Sequence, residues 1–279
     1  IGTETLPPTP EPGRARVGAL QSGLSRGTES LVFQGKVPPA EHERMRCPGM
    51  GGAFPFPVKY GYAMVGRVAM GPTGWVGRRV FALHPHQDLF DIDVAGLTAL
   101  PEGLDPRRAV LTANMETALN GLWDAGAGPA DRIVVVGAGV VGALVARLAA
   151  RLPGTDVTLV DVDAGKAGLA AALGVAFATP DNARGEADLV VHASATGPGL
   201  STALRLAGDE ATVLELSWFG EGSVPVALGG QFHAGRIRLL SSQVGRVATS
   251  RRPRWDYARR KAAAMRLLDD PALDALLEP

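Results

Sequence analysis

The sequence predicts an α/β protein in which an antiparallel β-barrel precedes a doubly wound parallel sheet. Residues 1–113 contain short β-type runs between Gly/Pro turns, a pattern typical of antiparallel strands. From residue 131 onward, apolar runs of strand length alternate with Ala/Leu-rich runs of helical spacing, which favours a parallel sheet covered on both faces. We therefore expect one domain over residues 1–113, to which residues 246–279 return, and a second over residues 114–245.

The composition limits the class of protein and the kind of partner. A chain of 279 residues is long enough for about two domains. Its 28 basic and 28 acidic residues cancel, which argues against nucleic acid or an anionic membrane surface as a partner. Cys47 is the single cysteine, so we expect no internal disulfide and a cytoplasmic location. No apolar run approaches the ~20 residues of a transmembrane helix.

Three runs in the first domain are predicted to be strands: RARVGAL at 14–20, YAMVGRV at 62–68 and RRVFAL at 78–83. Turns rich in Gly and Pro, such as GPTGWVG, separate them. The stretch from Gly35 to Pro57 is rich in Pro, Gly and charge. We therefore expect it to form a surface loop over the barrel.

The second domain begins with a strand–helix–strand rhythm. The apolar run RIVVVG ends at Gly137, GVVGALVARLAARL continues with helical spacing, and VTLVD is the next strand. Later strands are predicted in three runs: DLVVHAS (188–194), ATVLELS (211–217) and IRLLSSQ (237–243). The Arg-rich segment after residue 250 is predicted to be an amphipathic helix with a solvated basic face, because no aromatic ladder typical of nucleic-acid binding accompanies it.

The strongest functional signal is GAGVVG, in which Gly137, Gly139 and Gly142 have the G-x-G-x-x-G spacing between an apolar strand and a helix. The first glycine permits a tight turn, the second lets the backbone approach a pyrophosphate, and the third lets the helix pack on the strand. The helix start presents free N–H groups and the positive end of its dipole to the anion. The alternative is a glycine-rich turn that binds nothing, or that binds another adenine ligand.

Asp161 follows the second strand of this domain, about 20 residues after the last glycine, where a carboxylate binds a ribose 2′-hydroxyl. A 2′-phosphate would meet a like charge there, so we predict NAD(H) rather than NADP(H) as the cofactor. Lys166 either reaches the ribose edge or is an exposed helix lysine. The other predicted cofactor contacts are Val140, Val141, Ser194 and the backbone of Thr117.

Three stretches resemble the medium-chain dehydrogenase/reductase superfamily, which joins a GroES-like barrel to a Rossmann domain. SGLSRGTESLVFQG (22–35) takes the place of that superfamily's G-x-C-x-x-D segment, and KYGYAMVG (59–66) that of its G-H-E-x-x-G segment. ETALNGLWDAGAGPADRIVVVGAGVVG (116–142) is similar to its interdomain helix and first Rossmann strand. The resemblance implies an oxidoreductase that transfers hydride between nicotinamide and a small alcohol or carbonyl substrate in a cleft between the two domains.

The pattern SGxSxGTE, followed by GYxxVGRV at 61–68, is more particularly similar to the branch that contains bacteriochlorophyllide a dehydrogenase. That branch oxidises a hydroxyethyl side chain on a tetrapyrrole. Zinc-dependent members of the superfamily hold the catalytic ion with a Cys, a His and a second Cys or an acid. The resemblance places Ser25, Tyr62 and Ala113 or a neighbour at these positions. None is a good zinc ligand, so the sequence predicts no metal and makes zinc an improbable cofactor.

Without zinc, another group must stabilise the charge that hydride transfer leaves on the substrate oxygen. Tyr62 and Ser25 are the catalytic candidates at the former ligand positions. A tyrosine hydroxyl handles a proton more efficiently beside a cation, and Lys59 is the expected one. The alternative is that Tyr62 only fills the space of a lost metal.

Two histidines and one acid are further catalytic candidates. His84 and His86 lie two residues apart, which puts both on one face of a strand and permits a proton shuttle, or a metal site with Glu29 or Glu116. The alternative is a solvated pair of loop histidines. Glu116 is either an acid near the nicotinamide or a charge favoured by the dipole at a helix start.

Two other functions stay open. A quinone or enone reductase would need less electrophilic help than an enzyme that acts on a carbonyl. A redox sensor or partner subunit would bind the dinucleotide without turnover, and it is favoured if all the candidate proton donors face away from the nicotinamide. The expected assembly is a homodimer formed by pairing the edge strand at 237–243 across a two-fold axis.

Overall fold

The computed structural model describes residues 2–220 and 222–277. These residues form two compact units. The first runs to Ala113 and includes Met265–Asp269, and the second contains Asn114–Ala264 together with the residues from Asp270 onward. Among the described residues, no helix has both the length and the apolar character needed to cross a bilayer.

The first unit contains a five-stranded antiparallel sheet and a separate two-stranded ribbon. Its strands are β1 (Arg14–Ser22), β2 (Gly51–Gly52), β3 (Val58–Lys59), β4 (Met64–Met70), β5 (Arg79–Ala82), β6 (Leu89–Asp93) and β7 (Leu97–Ala99). The sheet order is β6-β1-β4-β5-β7, and β2 pairs with β3. Two short helices, α1 (Thr28–Phe33) and α2 (Pro106–Ala109), accompany the strands. Buried apolar side chains such as Val17, Met64 and Phe90 pack together as the core of the sheet.

The second unit contains a six-stranded sheet in which all neighbouring strands are parallel. Its strands are β8 (Arg132–Val136), β9 (Asp156–Val160), β10 (Ala176–Ala178), β11 (Ala187–His192), β12 (Ala207–Glu215) and β13 (Arg238–Ser241). The remaining helices of the chain are α3 (Thr112–Ala125), α4 (Val140–Ala149), α5 (Ala167–Leu173), α6 (Gly197–Leu206), α7 (Gln231–Ala234) and α8 (Tyr257–Leu267). Val134, Val190 and Val213 are buried in one core cluster of this sheet, as expected for strands covered on both faces.

The order of the parallel sheet is β10-β9-β8-β11-β12-β13. The chain therefore proceeds from β8 toward one edge and then returns to the other side of β8 with β11. In open α/β sheets, ligands bind outside the carboxyl ends of the strands at such a reversal point. The predicted α/β class, with an antiparallel unit and a doubly wound parallel unit, is confirmed.

The segment between Gly35 and Pro57, predicted to be a surface loop, is partly buried. Val37 and Phe54 contact Val32 of α1 in a small cluster that is separate from the core of the five-stranded sheet. The segment therefore has apolar packing of its own. Single-turn 3-10 helices occur at Pro39–Glu41, Val94–Gly96 and Ala164–Lys166, and a longer one at Pro271–Leu276.

Candidate functional site

The turn between β8 and α4 carries the predicted phosphate cradle. Gly137 has φ +108°, and a Cβ on it would lie 2.8 Å from the backbone nitrogen of Ser194. A Cβ on Gly142 would overlap the carbonyl oxygen of Gly137. Both glycines are therefore required by the fold itself, the first by its backbone conformation and the second by the close approach of helix and strand.

Gly139 is different because nothing in the protein requires it to be a glycine. Its φ of −73° suits any residue, and a Cβ built on it would have no atom within 4 Å. It is the N-cap of α4, where free N–H groups and the positive end of the helix dipole attract an anion. A glycine at this position leaves room for an external ligand to approach the backbone closely. Val140 and Val141 form the first turn of α4 beside it.

Asp161 follows β9 and is held against this turn. One carboxylate oxygen accepts a hydrogen bond from the Ala138 N–H at 2.7 Å, and the other accepts from the Asp163 N–H at 2.9 Å. Each carboxylate oxygen has a second lone pair, so the group can still accept from hydroxyl donors. Lys166 lies in the 3-10 turn that follows.

Ser194 lies just beyond β11 and belongs to a polar cluster that the sequence analysis missed. His192, the last residue of β11, is fully buried, and its Nδ1 lies 2.7 Å from Oε2 of Glu215 at the end of β12. Its Nε2 lies 2.7 Å from the Ser194 hydroxyl. The available signal was a polar residue near the end of two otherwise apolar strand runs.

In the first unit, the structure brings the side chains of Tyr62 and Ser25 together. The Tyr62 hydroxyl is hydrogen-bonded to the side chains of Ser25 and Thr28. The Glu29 carboxylate accepts from the Ser25 N–H with one oxygen and lies 2.6 Å from His86 Nε2 with the other. The sequence analysis did not select Thr28, although it lies one helical turn from Ser25.

Burial raises the pKa of Tyr62 above its ordinary value, and the negative charge of Glu29 acts in the same direction. The hydrogen bonds from Ser25 and Thr28 oppose that shift without cancelling it. Lys59, expected as the cation beside Tyr62, instead donates to Glu4 at 2.7 Å. Tyr62 is therefore a neutral hydroxyl at physiological pH, able to donate a hydrogen bond.

This raised pKa predicts a loss of stability in alkali. Because the folded-state pKa of Tyr62 exceeds the unfolded value of about 10, the native state holds its proton more tightly. The associated stability is complete below pH ~10 and is lost as the pH rises through the folded-state pKa. We expect Tyr62→Phe to lose less stability than the wild type between pH 9 and 11, measured by urea denaturation. The exposed Tyr257→Phe is the matched control, expected to follow the wild-type profile, and identical profiles for all three proteins would contradict the assignment.

The two histidines predicted as a pair have different surroundings. His86 contacts Glu29 and the Ser22 hydroxyl. His84 is buried, its ring stacks on Phe90 with centroids 3.9 Å apart, and burial lowers its pKa. His84 is thus a neutral packing residue among these contacts, and its predicted catalytic role gains no support from them.

Glu116 is buried in α3, where its carboxylate lies 3.1 Å from Nε of Arg260. Arg260 is only 3% exposed, and it also donates to Asn120 Oδ1 at 2.8 Å and to the Val244 carbonyl at 2.7 Å. Burial raises the pKa of Glu116, while Arg260 lowers it. The helix that contains Arg260 was predicted to present a solvated basic face, and this prediction is wrong for Arg260, which is buried. Its ion pair with Glu116 is a structural contact. Thr117 follows Glu116 in α3.

The residues at the predicted metal-ligand positions do not fit zinc. Ser25 and Tyr62 offer neutral hydroxyls, whereas zinc prefers thiolate, imidazole and carboxylate ligands. Burial raises the pKa of the Cys47 thiol, which disfavours its thiolate form. Within residues 2–220 and 222–277, no three His, Cys, Asp or Glu side chains are placed to share one ion.

Three solved structures that share this fold are described as dehydrogenases. Galactitol-1-phosphate dehydrogenase from Escherichia coli is 15% identical, with 98% of this chain and 86% of that chain covered, at a TM-score of 0.75. A protein from Sinorhizobium meliloti 1021 described as a zinc-binding dehydrogenase and bound to NADP is 19% identical, with 98% and 84% covered, at 0.72. A protein from E. coli CFT073 described as a short chain alcohol dehydrogenase and complexed with NADH is 16% identical, with 98% and 83% covered, at 0.69.

No protein-family model and no curated protein sequence matches the chain. At the identities of the solved structures, the likeness establishes a shared fold, and a shared fold does not by itself carry an activity with it. The function must therefore be argued from the residues of the two units.

Proposed function

We propose that this protein is an NAD(H)-dependent oxidoreductase of the medium-chain dehydrogenase/reductase superfamily that interconverts an alcohol and a carbonyl compound without catalytic zinc. The observation that carries the proposal is the glycine turn from Gly137 to Gly142, in which Gly139 leaves open space at the N-terminus of a helix on the switch-point edge of a parallel sheet. Two structural neighbours are described as dehydrogenases, one bound to NADP and one complexed with NADH, and these descriptions support the reaction class.

The second unit supplies the groups that would hold the dinucleotide. The turn from Gly137 to Gly142 and the N–H groups of α4 face the pyrophosphate, and Val140 and Val141 line the same turn. Asp161 accepts from ribose hydroxyls with its free lone pairs. The backbone of Thr117 and the side chain of Lys166 are proposed as further contacts. When bound, the nicotinamide accepts or donates the hydride.

The first unit supplies the proton-handling group in this proposal. Tyr62 donates a hydrogen bond to the substrate oxygen, and Ser25 and Thr28 fix the direction of its hydroxyl. Glu29 holds the Ser25 backbone, and His86 in turn holds Glu29. From the branch that contains bacteriochlorophyllide a dehydrogenase we carry over the reaction class and no substrate.

We expect Tyr62→Phe to lower kcat about a hundredfold and to leave the Kd for NADH unchanged, because only the proton-handling hydroxyl is removed. The measurement is turnover of whichever member of a panel of primary and secondary alcohols and their carbonyl partners the wild type converts. Tyr60→Phe is the matched control, since the Tyr60 hydroxyl donates to the Met45 carbonyl and lies outside this role. An unchanged kcat would reduce Tyr62 to a space-filling residue.

The cofactor assignment predicts that NADH binds at least about tenfold more tightly than NADPH, because the Asp161 carboxylate repels a 2′-phosphate. Fluorescence titration of both dinucleotides measures the two Kd values, and Asp161→Ser is expected to narrow the ratio. Preference of the wild type for NADPH would refute the role of Asp161. Elemental analysis of the same sample tests the metal-free site, and one zinc per chain would overturn it.

A quinone or enone reductase is the second candidate, because a hydroxyl-lined site without a Lewis acid suits an activated C=C bond. It predicts quinone turnover that survives Tyr62→Phe. A redox sensor would bind NADH and turn over neither class of substrate.

We also propose that the protein forms a homodimer through β13, because the exposed Leu239 and Leu240 lie on this strand at the edge of the sheet. We further propose a cytoplasmic location, which the single cysteine supports.

A further inference from the structure

A chain of hydrogen bonds begins where β11 and β12 end. Glu215 lies 2.7 Å from Nδ1 of His192, and Nε2 of His192 lies 2.7 Å from the Ser194 hydroxyl. The Ser194 hydroxyl lies 3.0 Å from the Thr196 hydroxyl, which accepts from the Gly199 N–H at 3.1 Å. Every member therefore has a partner on each side.

Glu215, at one end, fixes the donor-to-acceptor direction of every hydrogen bond in this series. The second carboxylate oxygen of Glu215 accepts from the Ser217 N–H at 2.7 Å, so the carboxylate is an acceptor on both sides. Nδ1 of His192 must then carry a proton, and in the neutral ring Nε2 is the acceptor. The Ser194 hydroxyl consequently donates to Nε2, and the Thr196 hydroxyl donates to Ser194.

This direction determines what the two hydroxyls offer to a ligand. The Ser194 and Thr196 hydroxyls each use their only proton in one of these hydrogen bonds, and each oxygen keeps one free lone pair. Ser194 and Thr196 are thus acceptors that suit ribose hydroxyls or an amide NH2 and reject a phosphate oxygen. They lie at the phosphate-cradle edge of the sheet, because a Cβ on Gly137 would lie 2.8 Å from the Ser194 nitrogen.

We infer that His192 and Glu215 are positioning residues that hold Ser194 and Thr196 as hydrogen-bond acceptors for the ribose hydroxyls or carboxamide of the dinucleotide. The inference rests on the proposed function, since it requires a nicotinamide dinucleotide at this edge.

The test is a double-mutant cycle on the full chain, with the Kd for NADH measured by fluorescence. We expect His192→Asn, which keeps a donor toward Glu215 but loses the acceptor toward Ser194, to weaken NADH binding about tenfold. Ser194→Ala is expected to weaken it to a similar extent, and the double variant no further, because His192 acts through Ser194. His192→Gln, which restores an acceptor near the Nε2 position, should recover most of the loss. The exposed His233→Asn is the control.

Glu215→Gln tests the same link independently of His192 and covers the case in which His192→Asn does not fold. An amide cannot accept from both His192 and Ser217, so about the same tenfold loss is expected. Additive losses in the cycle, equal losses for the Asn and Gln variants, or unchanged affinity in Glu215→Gln would overturn the inference. A wild-type chain that binds neither NADH nor NADPH would instead refute the proposed function.

Discussion

Gly139→Asp is expected to abolish NADH binding and to leave the fold intact. The new carboxylate would stand where the pyrophosphate is proposed to bind, and one like-charge contact at ~4 Å costs about 4 kcal/mol near a protein surface. That cost corresponds to about a thousandfold increase in Kd. Stability should not fall, because the position has ordinary φ, open space around it and the N-cap role that Asp fills well.

Two measurements on the same samples test this expectation: fluorescence titration with NADH and the midpoint of thermal unfolding. Gly229→Asp is the matched control, since a Cβ at Gly229 also meets nothing within 4 Å. It should bind NADH like the wild type. Tight NADH binding by Gly139→Asp would remove the main support for the proposed function, whereas a large drop in its unfolding midpoint would show that Gly139 serves the fold.

Arg260→Met is expected to cost about 3–5 kcal/mol of unfolding free energy, because it leaves the buried Glu116 carboxylate without its cation. The double variant Glu116→Met/Arg260→Met should recover most of that loss, since apolar side chains of similar size avoid the cost of burying both charges. Urea denaturation measures all three proteins.

Arg266→Met, on the exposed part of the same helix, is the matched control and should lie within about 0.5 kcal/mol of the wild type. A loss below about 1 kcal/mol for Arg260→Met would indicate a solvated pair of the surface type. A double variant as unstable as the single one would show that the bonds from Arg260 to Asn120 and Val244 matter more than its charge.

The sequence alone predicted those features that depend on residues close together along the chain. The main strands and the cradle from Gly137 to Gly142 follow from local periodicity and spacing. β6 and β10 were not predicted, because LFDID and AFA are only five and three residues long. Their pairing with β1 and β9 is a tertiary effect that overrides weak local propensity.

The candidate site was predictable only where a resemblance or a motif pointed to it. Ser25 and Tyr62 were identified from the resemblance, and the structure brings them together. Lys59 was assigned the wrong neighbour because its partner Glu4 lies 55 residues earlier in an irregular segment. Arg260 and Glu116 are 144 residues apart, and no local pattern signals such a pair.

The separate packing of Val32, Val37 and Phe54 bears on how this protein can diversify. The segment 35–57 packs against α1 through these side chains and not into the core of the five-stranded sheet. Its outer residues can change, or its length can drift, while the five-stranded sheet keeps its own side-chain contacts. Sequence changes in residues 35–57 can therefore accumulate without loss of the five-stranded scaffold.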